Sequence, residues 1–481
     1  MIKRWKFKRS IILSTLVTFA ILFSCNNNPT ENSPVLISKK SDLQSIIDRG
    51  KIVAVTDLGS TSYFVFRGEP MGYQFELLKS FADHLGVKLE IHVDKDPGNS
   101  MEKLNAGEYD LIAKGLTITH SRREKVAFTA PMMQTRQVLV QRKPDNWRRM
   151  STWEEVEKHL IRNPVDLAEK TIYLQQNTAF HDRMMHLQKE IGGFINIIEV
   201  ADYDTEELIA MVARGEIDYT VSDEHTALVS SKFYQDIDVG TPVSLTQSIG
   251  WAVRKGNNEL LSALNEWWIE HGQSPHARLL YERYFNNPRG LHAGQREFHS
   301  RKGGRISYYD DIIKRYSKSI DWDWRLLAAL IYQESRFRHE AVSHAGAFGI
   351  MQIMPATALE LGIDSTVSAV EQIAAGVRYL RWLDRQFSAE ISDPSERQKF
   401  VLAAYNAGIA HVFDARRLAA KNNKNPNIWE GHVDYYLRNK SKPEYYLDEV
   451  VYYGYCRGEE PYNYVYDILE RFDHYRRTIT N

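Results

Sequence analysis

Leu104-Asn105-Ala106-Gly107-Glu108-Tyr109-Asp110-Leu111 is echoed about a hundred residues on by Val212-Ala213-Arg214-Gly215-Glu216-Ile217-Asp218-Tyr219. Both stretches read as a helix end, a glycine stop and an aspartate leading into a strand. The separation is too long for a solenoid repeat and suits two similar α/β lobes facing each other across a cleft. Upstream of the first copy, Ile52 to Thr56 is a β-branched run and Phe75, Leu78, Ala82 and Leu85 recur at helical spacing. Val87, Leu89, Ile91 and Val93 then alternate. Strand, helix and strand in that order predict a βαβ unit with a parallel sheet. The expectation is a two-lobed α/β domain over residues 41–285.

The remaining chain is read differently. Asn286-Asn287-Pro288-Arg289-Gly290 breaks secondary structure, so residues 286–295 are a linker. From 296 to 481 the apolar spacing is helical: Ile312 and Tyr316, then Leu326, Leu327, Leu330 and Ile331, then Val377, Leu380 and Leu383. Leu326, Leu330 and Glu334 follow at four-residue steps, which sets a carboxylate beside a stripe that should be buried. A carboxyl losing hydration there has a raised pKa and suits acid catalysis. The same glutamate, taken alone, reads first as a helix-end residue that swings to solvent or pairs with Arg336 or Arg338.

The 481 residues hold 61 Lys plus Arg against 62 Asp plus Glu, a formal charge of −1, without the cationic excess that nucleic-acid binding needs. Nucleic acid is therefore not an expected partner. Cys25 and Cys456 are the two cysteines, which excludes a disulfide framework and a cysteine-rich zinc site. No metal or organic cofactor is indicated. Lys3, Arg4, Lys6, Lys8 and Arg9 precede an uncharged run from Ser10 to Ser24, the pattern of a signal peptide over residues 1–24. Leu22-Phe23-Ser24-Cys25 resembles the lipobox of bacterial lipoproteins. That resemblance implies acylation at Cys25, a tether over residues 25–40 and attachment through lipid, usually at the periplasmic face of the outer membrane.

The stretch Gly107 to Thr119, followed by Arg122 and by Phe128-Thr129-Ala130-Pro131, resembles the first-lobe signature of the extracellular solute-binding proteins of the amino-acid type. The resemblance implies a periplasmic binding protein-like fold and a small amino acid or peptide as ligand. It further implies that Arg122 clamps the ligand carboxylate, Thr117 assists and Asp223 receives the α-amino group. A guanidinium fork matches a carboxylate and an aspartate complements an ammonium. On the residues alone, Arg122 is also a solvated arginine beside Arg123, and Asp218 and Glu224 compete with Asp223.

Glu334-Ser335-Arg336-Phe337, Gly346 to Pro355 and Ala404-Tyr405-Asn406-Ala407-Gly408 resemble, in order, three motifs of the soluble-type lytic transglycosylases. The stretch Tyr453 to Val465 is similar to the end of members that couple a solute-binding module to this domain. The resemblance implies a mainly α, lysozyme-like domain that cleaves the β-1,4 bond between N-acetylmuramic acid and N-acetylglucosamine in peptidoglycan glycan strands without water. It assigns Glu334 as acid and then base. Ser335, Met351, Gln352, Tyr405, Asn406 and Tyr464 would be the substrate-binding residues. Two rivals stay open: a solute-sensing receptor whose C-terminal domain binds peptidoglycan without catalysis, and a hydrolytic muramidase.

Overall fold

A computed structural model describes residues 42–286 and 305–479. The signal peptide, Cys25, the tether and nearly all of the linker lie outside the described residues.

Two sheets form the α/β part. In the first, the strands run in the order Lys88–Val93, Lys51–Thr56, Leu111–Thr117, Gln247–Val253 and Ala127–Phe128, with Met133–Thr135 also on Gln247–Val253. The second runs Asn196–Val200, Thr171–Gln175, Tyr219–Asp223, Gln137–Arg142 and Ile237–Pro242. The expected βαβ unit is present: Lys51–Thr56 pairs in parallel with Lys88–Val93 across the helix Tyr73–Leu85. The sheets are not wholly parallel, however. Gln247–Val253 lies antiparallel to Leu111–Thr117, and Gln137–Arg142 antiparallel to Tyr219–Asp223. The reason is the double crossing between lobes. The chain leaves the first sheet at Met133–Thr135, enters the second at Gln137–Arg142, and returns from Ile237–Pro242 to Gln247–Val253. A returning strand runs against its neighbours, which a local apolar pattern does not reveal.

Both echoed stretches are helix ends. Gly107 and Gly215 take φ of 88° and 76° and cap the helices Pro97–Ala106 and Thr205–Arg214. The second helix starts on a capping box in which Asp204 and Glu207 exchange backbone bonds.

From Asp310 onward the chain is helical, its only β pairing among the described residues being isolated bridges at Val342, Phe348 and Ile353. The helix Trp324–Ser335 is its centre: every residue from Trp324 to Tyr332 is buried. A helix apolar all round must be enclosed, and this one packs against Asp310–Ser317 and the long C-terminal helix Glu459–Thr478.

The two parts meet through the hairpin Phe64–Phe66/Glu69–Met71. At its turn, Gly68 N–H donates to Ile306 O at 2.9 Å, and Tyr475 Oη donates to Gly68 O at 2.8 Å. Gly68 has φ of 80°, and a Cβ there would lie 2.3 Å from Tyr332 Cδ2, so the approach requires glycine. Tyr332 Oη in turn donates to Glu69. No described helix is long and apolar enough to cross a membrane.

Candidate active site

Asp323 caps the start of the Trp324–Ser335 helix by accepting from Arg325 N–H at 2.9 Å, and the helix ends one turn beyond Ile331. Glu334 therefore sits at the mouth of the helical core. Burial pushes its carboxyl up to about 7, against the opposing effect of a hydrogen bond donated by Tyr464 Oη. Among the described residues no second carboxylate perturbs it. Tyr464 comes from the C-terminal helix and Tyr405 from the end of Pro394–Ala407. Burial and the nearby Glu334 carboxyl raise both phenols well above the ordinary tyrosine range, so both remain hydrogen donors.

The other expected substrate residues divide by position. Ser335 is buried and its Oγ donates to Ile350 O at 2.7 Å, which fastens the catalytic helix to the Gly346–Pro355 loop. Met351 is fully buried against Gly376, where a Cβ would come within 2.3 Å of its sulfur. Its backbone carbonyl accepts from Tyr405 Oη at 2.7 Å. Gln352 Nε2 donates to Ala341 O at 3.0 Å and Gly349 O at 2.9 Å, leaving Oε1 as the atom that can accept from substrate. Asn406 is exposed. Arg336, Phe337 and Gln352 have φ of 51°, 59° and 48°, a left-handed cluster of non-glycine residues around the acid. Such conformations persist where surrounding structure over-determines them, commonly at functional sites.

The cleft between the α/β lobes encloses a narrow cavity of about 100 Å³. Asp57, Asp204, Glu206 and Asp223 line it, together with Lys95 and Lys114. Burial pushes Asp204 and Asp223 up to about 7 and Glu206 up to about 8. Asp57 and Asp223 each bury one Oδ1 with no hydrogen-bond partner. Glu206 reaches across to the Ser60 backbone N–H at 3.0 Å. Of the three residues expected here, Asp223 lines the cavity. Thr117 and Arg122 do not: the buried Arg122 guanidinium donates to Thr117 O at 3.0 Å. Sequence reasoning missed Asp57 and Glu206. Asp204-Thr205-Glu206-Glu207 reads as a helix start, which hides that its acids reach the first lobe, Glu206 at Ser60 and Asp204 and Glu207 at Lys95.

Residues 52–287 match the bacterial extracellular solute-binding proteins, family 3, and residues 311–428 match the transglycosylase SLT domain. Fold and site thus define a class in which a two-lobed solute-binding module precedes a lysozyme-like domain whose site holds a glutamic acid of raised pKa. A Desulfosudis oleivorans protein named membrane-bound lytic murein transglycosylase F is 35% identical over 436 residues, 90% of this chain and 91% of its own length. A Shewanella woodyi protein of the same name is 31% identical over 468 residues, 96% of this chain and 91% of its own. Holo ArgBP from T. maritima covers 50% of this chain and 99% of its own at 26% identity and a TM-score of 0.41. The chain belongs to the membrane-bound lytic murein transglycosylase F family.

Proposed function

We propose that the chain is a peptidoglycan lytic transglycosylase in which Glu334 performs both proton transfers and the solute-binding module regulates cleavage. The observation that carries this is the solitary, desolvated carboxyl of Glu334. Hydrolysing glycosidases ordinarily use two carboxylates, the second as base or nucleophile. Here Glu334 gives its proton to the bridging oxygen, and the substrate's own N-acetyl carbonyl supports the positive charge at the anomeric carbon. The resulting carboxylate then takes the proton of the muramic 6-hydroxyl, whose oxygen closes the 1,6-anhydro ring. The proton lent in the first step returns in the second, so no water is consumed. A group held near 7 is suited to both roles at neutral pH.

Gln352, Tyr405, Asn406 and Tyr464 hold the sugar at this acid, while Ser335 and Met351 set the loop that carries Gln352. In the lobe cleft, the unpartnered oxygens of Asp57 and Asp223 favour a small ligand bearing an ammonium group. Lipid on Cys25 would place the enzyme at the periplasmic face of the outer membrane. Digestion of purified peptidoglycan by chain lacking residues 1–24 tests the reaction. Products lighter by one water than the hydrolytic muropeptides, lost in Glu334→Gln, are expected. Hydrolytic masses would make the protein a muramidase, and undiminished cleavage by Glu334→Gln would remove Glu334 from catalysis.

A further inference from the structure

A second cavity, of about 650 Å³, opens where the two halves of the chain meet. Its walls carry Arg67 from the hairpin turn of the α/β half, and Arg336, Arg338 and His339 from the segment that follows Glu334. Among the described residues the only carboxylate in its lining is Glu340, which is 87% exposed and lies 3.6 Å from His339. Among the described residues no carboxylate lies within ion-pair distance of Arg67, Arg336 or Arg338. Arg67 and Arg336 instead stand over the rings of Phe66 and Tyr332, at 5.3 and 5.9 Å, and Arg338 Nε donates to Ser335 O at 3.2 Å. Three guanidiniums converging on one cavity repel each other, and an anion relieves that repulsion.

The cavity adjoins the glycan site. Arg336 is two residues beyond Glu334, and Ala341, in the cavity wall, accepts through its carbonyl from Gln352 Nε2 at 3.0 Å. Arg67 and Arg336 both occupy left-handed backbone, each with φ of 51°, so the positions that present them are fixed by structure rather than by side-chain chance. A glycan strand of peptidoglycan carries short peptides on its muramic acids, and these end in and are branched with free carboxylates. Such groups match guanidinium forks.

We infer that this cavity binds the carboxylates of the peptide borne by the muramic acid at the scissile bond, and that Arg67 makes recognition of the substrate's peptide a joint property of both halves. This rests on the transglycosylase reading. The test compares initial rates on glycan strands with their peptides intact and on strands stripped of peptide by an amidase. Arg67→Ala should lower the ratio of the two rates about tenfold, the loss of one charge-assisted contact, and Arg67→Lys should restore part of it. Rising salt should erode the wild-type ratio. Equal effects of Arg67→Ala on both substrates, or none on either, overturn the inference. Calorimetry with the free tripeptide L-alanyl-γ-D-glutamyl-L-lysine reads the cavity without catalysis. Binding weakened about tenfold by Arg67→Ala supports it even if no strand is cleaved, which would count against the role of Glu334 instead. Binding indifferent to Arg67→Ala overturns it.

Discussion

The proton on Glu334 is set by two opposing neighbours, and they can be separated. Burial raises the carboxyl, while the hydroxyl of Tyr464 donates to it and so favours its charged form. Tyr464→Phe should therefore move the alkaline limb of the kcat/KM profile to higher pH than in the parent. It should also slow cleavage about tenfold, because the carboxylate formed in the first step loses a donor. An unmoved limb would show that the phenol does not act on this carboxyl, and a limb moving toward acid would show that it favours the protonated form. Leu326 and Leu330 announced an enclosed helix whose row Glu334 continues, but that row left a helix-end glutamate open, and the resemblance of the three motifs decided for the acid. The roles of its neighbours were less legible. Whether Ser335 faces sugar or loop depends on Ile350 O, which folding brings 2.7 Å away from fifteen residues along the chain.

At the scale of elements, the C-terminal helix is aimed by the segment before it. Tyr452 and Tyr453 donate their backbone N–H groups to Asp414 at 2.9 and 3.0 Å, and Arg417 and the fully buried Lys440 also donate to that carboxylate. The tyrosines at 452, 453 and 455 are exposed, and besides these backbone bonds Arg417 stands 4.1 Å over the Tyr452 ring and Tyr455 meets Tyr446 edge-on. Asp414→Ala leaves Lys440 charged and buried without its partner, and should cost about 3–5 kcal/mol in denaturant unfolding. Loss of less than about 1 kcal/mol would mean that the pair is replaceable by solvent. Helical periodicity exposed these elements well, as Val377, Leu380 and Leu383 show by all being buried. The antiparallel return strand Gln247–Val253 was not legible, since its partners are separated from it by the whole second lobe.

At the scale of the whole molecule, regulation needs a physical link between cleft and acid. One runs through the hairpin region: Thr61 and Ser62 line the cleft, the next residue's Tyr63 Oη lies 2.6 Å from His474 Nε2 on the helix that carries Tyr464, and Gly68 rests on Tyr332 and Tyr475. Burial and the arginines at 471 and 477 hold the His474 ring down to about 3, so the contact is a neutral hydrogen bond across the working pH range. Gly68→Ala sets a Cβ into Tyr332 and a β-carbon on left-handed backbone, and should undock the hairpin. The expected outcome is thermal unfolding of the two halves in separate transitions, where the parent unfolds in one. A single unchanged transition would show that the halves are not coupled through this contact. The duplicated helix-stop-strand pattern disclosed the lobes, but nothing local in Phe64 to Met71 marked this hairpin as the bridge, because its partners lie more than two hundred residues away.

The central claim is that one dry carboxyl keeps its proton near neutrality, and difference infrared titration of the parent against Glu334→Gln measures it directly. A carboxyl band lost on raising the pH with a midpoint near 7 is the predicted result. A midpoint near 4.5, the value of an unperturbed glutamate, would contradict it.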